Sequence, residues 1–231
     1  MIVEVDYKGI KMLSGIHTHP GSGNLSGSET EFESNLFLSQ IKNINNKKNP
    51  LMVEVGCHWA LWSLLFRNTY PNAKNIIIEL NKHALSLAEN NFKLNGYDFS
   101  SYWGGVFLNS STTFHNKEND IDYDQSLYPD GYKIQNLEGS AVGKELDFNV
   151  TVEKEFIDLL HLDIQGSEVP LLKSLIENGK IENIDMLVVA THSHEADNLI
   201  EEIVINHNYQ KLFTSPFHNN DGYYIIKRVV H

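Results

Sequence analysis

The sequence predicts an α/β domain: a mostly parallel sheet with helices on both faces and an antiparallel hairpin at the end. Three observations lead there. Short apolar runs at residues 51–55, 76–78, 157–164 and 184–190 have the length and content of buried parallel strands. Segments with helical apolar spacing separate them, for example Ala60, Trp62, Leu65 and Phe66, and later Ala84, Leu87, Ala88 and Leu94. Two further strand-like segments, 209–213 and 223–229, flank Asn219-Asn220-Asp221-Gly222, which is turn chemistry. With a third strand at 97–106, the count for the main sheet is seven.

Residues 2–13 alternate apolar and polar around Lys8-Gly9, the pattern of a small edge hairpin. The Gly/Ser-rich run up to Ser28, with His17 and His19 ahead of it, is loop by composition. Ser28 and Glu31 fit a capping box, and Phe32, Leu36, Phe37, Ile41 and Ile44 mark one face of the helix that follows. The segment 51–80 is the centre of the chain: strand, break at Gly56, helix, a Pro-Asn-Ala connection, and a second strand ending in Glu79. That is a βαβ unit. Gly96 suits the C-terminal cap of the next helix. Residues 109–131 are polar and aperiodic, so they read as an insertion. Asp120, Asp122 and Asp124 alternate like the start of an EF-hand loop, but Gln125 and Gly131 occupy the places of its glycine and glutamate, so an acidic lid fits better than calcium. Residues 141–150 read as an edge strand or hairpin arm. If the strand at 157–164 continues, His161, Asp163 and Gln165 share one of its faces. Ser167 caps the helix after it, Pro170 sits in the first turn and Gly179 ends it. Thr191-His192-Ser193-His194 follows the next strand.

With 231 residues the chain is long enough for one domain with embellishments. A formal net charge of −12, without a dense Lys/Arg cluster, argues against nucleic acid or an anionic membrane as the main partner. The single cysteine, Cys57, cannot form an intramolecular disulfide and suits a reducing, cytoplasmic compartment. The opening residues carry no signal-peptide pattern, and no apolar run reaches membrane-spanning length.

In a βαβ unit the ligand sits outside the carboxyl ends of the strands, where Gly56 and Glu79 fall. A dinucleotide site wants G-x-G-x-x-G, but Gly56 is followed by Cys57, His58 and Trp59, whose side chains crowd a pyrophosphate. S-adenosylmethionine has no phosphate, so one glycine with Ala60 suffices, and Glu79 is placed to accept from both ribose hydroxyls.

Three segments carry a family resemblance: VEVGCHWALWSLLF, IIIELNKHALSLAENNFKLNG and IDLLHLDIQGSEVPLLKSL. In order and spacing they resemble the signature segments of the FkbM-like S-adenosylmethionine-dependent methyltransferases, and the resemblance runs over about residues 28–215. It implies a Rossmann-like class I methyltransferase fold, with residues 1–45 a hairpin and helix capping the core and 46–231 the methyltransferase domain, interrupted by a loop insertion at about 107–131. Phe32-Glu33 matches the aromatic-Glu pair that opens the family's first helix. Glu54 stands where the family has aspartate, His58 where it has asparagine, Ala60 where it has a second glycine and Gln165 where it has glutamate. The cofactor contacts expected on this basis are Glu54, Gly56, His58, Ala60, Glu79, Leu80, Gly105 and Asp163, with Trp103 and Gly104 beside the adenine. The implied reaction is methylation of a hydroxyl on a sugar or a secondary metabolite.

An alcohol is a poor nucleophile, so a base or a metal has to help. Asp163 matches the family's strand-end aspartate and is the first catalytic candidate; His192 and His194 follow from their position at a strand end and the near-neutral pKa of imidazole. Glu168 reads as a helix-start acid. The His17/His19 and His192/His194 pairs also admit a metal-dependent hydrolase or transferase, and a non-catalytic cofactor-binding partner is a further alternative.

Overall fold

The computed structural model describes residues 2–15, 28–106, 144–152, 156–164, 166–218 and 221–229. The chain opens with a separate hairpin, β1 (Ile2–Tyr7) and β2 (Ile10–Gly15), turning at Lys8-Gly9 as the alternation predicts. Helix α1 (Ser28–Gln40) follows, and then β3 (Leu51–Val55), α2 (Leu61–Thr69), β4 (Lys74–Glu79), α3 (Lys82–Leu94) and β5 (Ser100–Val106). Beyond the insertion come β6 (Lys144–Leu146), α4 (Phe148–Thr151), β7 (Ile157–Leu162), α5 (Glu168–Glu177), β8 (Ile184–Thr191), α6 (His194–Asn206), β9 (Tyr209–His218) and β10 (Asp221–Arg228).

The main sheet has eight strands in the order β6-β5-β4-β3-β7-β8-β10-β9, one more than expected. The extra strand is β6. It is no hairpin arm: it runs parallel to β5 for three residues, and the chain then coils into α4 at Phe148. All pairings are parallel except those of β10 with β8 and with β9. The chain leaves β3 towards β4 and β5, then returns to build β7, β8 and β10 on its other side. Strand order therefore reverses at β3/β7, and the crevice opens above their carboxyl ends.

The central strands read as apolar because both faces are covered: β3, β7 and β8 are buried at every position. Met52, Leu159, Val188 and Ile225 point to one face, packing with Phe37, Ile41, Leu64, Phe66, Ala88 and Phe92 of the α1, α2 and α3 side. Val53, Leu160, Leu187 and Ile226 point to the other, against Leu172, Leu175, Ile200 and Ile203 of α5 and α6. Helices α3 and α5 end at Gly96 and Gly179, where backbone bonds from Tyr97 to Phe92 (3.0 Å) and from Lys180 to Leu175 (2.8 Å) close the last turns.

Two expectations need correction. Phe32 does not share the buried stripe of α1: it is 57% exposed, and its ring meets Phe213 edge-on at 6.1 Å instead. Ser167 occupies the N-cap position of α5 but its side chain makes no capping bond; the Glu168 carboxylate receives the loop amides of Ile164 (3.0 Å) and Gly166 (2.8 Å) in its place.

Candidate active site

Gly56 ends β3 with φ +78°, and a Cβ there would stand 1.8 Å from the Asp163 carbonyl oxygen. Only a residue without a side chain lets the β3 and β7 ends come this close. The Asp163 amide bonds back to the Val55 carbonyl at 3.1 Å. Regular pairing stops at Leu162, so Asp163 lies just past the strand and not within a continued one; its side chain is 38% exposed. Gln165 lies outside the described residues.

Four amides of the turn at Gly56 are already in use. Those of Gly56 (2.9 Å) and Cys57 (3.2 Å) donate to the Ile78 carbonyl, and Ala60 donates to Cys57 at 2.6 Å. The His58 amide donates to Glu79 Oε2 at 2.9 Å, and the Asn81 amide to Oε1 at 2.8 Å. A diphosphate would need such amides free. Each Glu79 oxygen, by contrast, keeps acceptor capacity for a ribose hydroxyl. Burial raises the pKa of Glu79, the Asn81, His58 and Leu80 amides oppose that, and the Asp163 charge raises it further. The residues present therefore suit a nucleoside without phosphates. His58 (φ +47°) and Ala60 (φ +64°) both hold left-handed backbone in this turn, Ala60 as the N-cap of α2.

Glu54 lies beneath the turn, 0% exposed, with Oε2 accepting the Ser63 amide at 3.0 Å and Oε1 without a partner. Burial pushes its pKa up to about 8. His161 pairs with Glu54 across β3/β7, packs its ring against Trp62 at 5.6 Å and is driven by burial down to about 3, a neutral imidazole.

The end of β8 brings His192 between two carboxylates. Its Nδ1 lies 2.8 Å from Glu168 Oε1, and its Nε2 lies 3.5 Å from Asp163 Oδ1. Glu168 is 0% exposed and already accepts two loop amides, so as a carboxylate it can only receive from Nδ1–H. In the neutral imidazole Nε2 is then the acceptor, on the side of Asp163. Sequence reasoning placed Asp163 and His192 at strand ends and favoured a helix-start role for Glu168 over a catalytic one. Its position five residues after Asp163 was visible; that its carboxyl group turns to the next strand was not. His194 is exposed at the start of α6, whose N-cap Ser193 accepts the Ala196 amide at 3.1 Å.

On the β4/β5 side, Leu80 follows Glu79, and its carbonyl accepts Trp103 Nε1–H at 3.0 Å. Lys82 Nζ sits 4.8 Å above the Trp103 ring. Gly104 and Gly105 are buried inside β5, paired with Lys144 and Glu145 of β6. Among the described residues, no three His, Cys, Asp or Glu side chains converge as metal ligands. His17, His19 and the aspartates of the insertion lie outside the described residues. Within the same bounds no helix is long and apolar enough to cross a membrane.

The FkbM methyltransferase domain matches residues 44–211. No curated protein matches in sequence. Among solved structures, a SAM-dependent methyltransferase from Streptococcus mutans is similar with a TM-score of 0.55 at 9% identity, covering 98% of this chain and 55% of that one. The Pyrococcus abyssi tRNA (uracil-54, C5)-methyltransferase in complex with S-adenosyl-L-homocysteine gives 0.52 at 10% identity, covering 98% and 44%. The METTL16 methyltransferase domain gives 0.52 at 8% identity, covering 90% and 86%. This chain thus spans about half the length of the first two. At these identities the likeness speaks to the fold, which is that of class I methyltransferases. With most of its length matched by the domain and its turn suited to a phosphate-free nucleoside, the chain belongs to the FkbM family of S-adenosylmethionine-dependent methyltransferases.

Proposed function

We propose that the protein methylates a hydroxyl group of a sugar or secondary metabolite. One observation carries this reading: His192, held by Glu168 on Nδ1 and turned with Nε2 towards Asp163, at the mouth of the crevice. A base of this kind is what a hydroxyl acceptor needs and what a neutral amine does not.

When bound, S-adenosylmethionine supplies an electrophilic sulfonium methyl group. Glu79 holds the ribose, Gly56 and Ala60 keep the turn close against it, and Leu80 with Trp103 borders the adenine. Asp163 orients the acceptor hydroxyl, and His192 Nε2 removes its proton as the oxygen attacks. The imidazolium so formed lies between the Glu168 and Asp163 carboxylates, which stabilise it from both sides. The remaining work is alignment, because an in-line displacement depends on placing the acceptor oxygen behind the methyl carbon. His194 belongs to the acceptor rim. The lone buried cysteine favours a reducing, cytoplasmic setting.

Calorimetric titration with S-adenosylhomocysteine tests the cofactor half. Wild-type protein binds, and Glu79→Ala loses about 1.5–3 kcal/mol of affinity, the worth of charge-assisted hydrogen bonds. Wild-type affinity in the variant rejects the ribose role. For the acceptor half, Asp163→Asn lowers turnover on a hydroxyl acceptor and leaves the melting temperature close to wild type. An unchanged rate removes Asp163 from the chemistry.

A further inference from the structure

Buried polar atoms without partners gather on one side of the sheet near the crevice. Glu54 Oε1, His161 Nδ1 and the Tyr223 hydroxyl all lack a hydrogen-bond partner. They project from β3, β7 and β10 to the α1/α2 face, in line with Met52, Leu159 and Ile225. Glu54 belongs to the cofactor side and His161 lies under Trp62. Tyr223 has no assigned role. It pairs with Ala190 on β8, two residues before His192, so its backbone stands at the level of the catalytic strand ends. It is only 8% exposed. A buried hydroxyl left unpaired is destabilising, so for the free protein alone phenylalanine would be the better residue.

The surroundings define what would satisfy that hydroxyl. Burial, and then the charges of Glu33, Asp163 and Glu54, hold the phenol protonated well above its ordinary range. The group is thus a donor and acceptor facing carboxylates. Such a setting repels anions and welcomes a neutral ligand with several hydroxyl donors. An apolar wall adjoins it: the Phe213 ring lies 6.3 Å from Tyr223, and Phe32 lies 6.1 Å from Phe213 with much of its ring exposed. This line of aromatics explains why Phe32 left the buried stripe of α1. One aromatic side and several hydroxyl-binding groups match a sugar ring, which has an apolar C–H face and a hydroxyl edge. An aromatic alcohol would leave most of the polar groups unmet.

We propose that Tyr223, with Phe213 and Phe32 beside it, forms the acceptor subsite, and that its ligand is a neutral carbohydrate ring bound through the Tyr223 hydroxyl. The inference rests on the methyl-transfer reading and narrows it from hydroxyl compounds to sugars.

Protein loaded with S-adenosylhomocysteine is titrated with the methyl glycosides of the common hexoses and 6-deoxyhexoses, with benzyl alcohol as the aromatic control, and binding is followed by saturation-transfer NMR. At least one glycoside binds and benzyl alcohol binds more weakly. Tyr223→Phe and Phe32→Ala each weaken that glycoside by about tenfold or more, the loss expected for a ligand hydrogen bond or stacking face. Both variants keep wild-type affinity for S-adenosylhomocysteine, and Tyr223→Phe does not melt earlier than wild type. Absence of glycoside binding to cofactor-loaded protein, preferential binding of benzyl alcohol, or glycoside affinity indifferent to both substitutions overturns the sugar subsite. Failure of S-adenosylhomocysteine itself to bind overturns the methyl-transfer reading beneath it, so the two failures are distinguishable. Phe32 is exposed, which keeps its variant informative if Tyr223→Phe misfolds.

Discussion

The Glu168 carboxyl group joins two strand ends that the chain separates by a helix. Replacing it by glutamine keeps the shape and removes the charge beside Nδ1. Glu168→Gln therefore frees the imidazole to take either tautomer, because Nδ1–H loses the carboxylate that holds it. The ring-nitrogen chemical shifts of His192 read the tautomer directly, without an acceptor; an unchanged tautomer discards Glu168 as its positioning residue. Glu54 offers a second check. Its pKa is raised from 4.5 to about 8 on folding, so the folded state holds a proton that the unfolded state has lost. The stability this contributes is complete below pH 4.5 and is lost as pH rises through 8. Between pH 6.5 and 8.5 the wild type should lose on the order of 2 kcal/mol that Glu54→Gln retains. His161, lowered to about 3, stays neutral across that window and acts in the opposite sense only below pH 6.5. Parallel urea midpoints for the two proteins across this range would refute the buried neutral carboxyl. Residue types at this site were legible in the chain, since Glu54, Gly56, Glu79, Asp163 and His192 stand at strand ends. Their protonation was not, because burial sets it.

The turn between β3 and α2 is the element on which the crevice depends. Gly56→Ala drives a methyl group into the Asp163 carbonyl and asks alanine to hold φ +78°. Neither the β3 nor the β7 end can yield without disturbing a central strand. The variant should lose more than about 3 kcal/mol or fail to fold, seen in its soluble yield and urea midpoint. A variant as stable as wild type would show that the turn can open. The lone glycine was readable as a strand-to-helix break. The reason no other residue serves is a contact with Asp163, over a hundred positions along the chain. Local pattern likewise located β3, β4, β7 and β8, whose two covered faces make them continuous apolar runs. It left β6 open between an edge strand, which the sheet shows, and a hairpin arm, because three residues carry too little period to decide, and it failed for Phe32, which obeys helical spacing yet turns to an aromatic partner on β9.

A buried ion pair helps tie the antiparallel end of the sheet to the rest. Lys227 on β10 lies 3.2 Å from Asp185 on β8, and Asp185 also accepts the Asn45 amide (2.8 Å) and its side-chain nitrogen (2.7 Å) after α1. Three distant parts of the chain thus meet on one carboxylate. Lys227→Ala strands that charge in the interior and should lower stability by about 3–5 kcal/mol. A melting temperature within a degree of wild type would show that water or Asn45 suffices. Apolar runs and turn residues predicted the main strands and helices and the crevice above Gly56 and Glu79, and three signature segments carried the family resemblance, because each of these lies among neighbours along the chain. The folded sheet alone decided that Glu168 grips His192, that four amides of the turn are already spent, and that the buried Tyr223 hydroxyl has no partner. Those depend on strand order and register, through which residues far apart in sequence come to share one face, and local pattern holds no record of that.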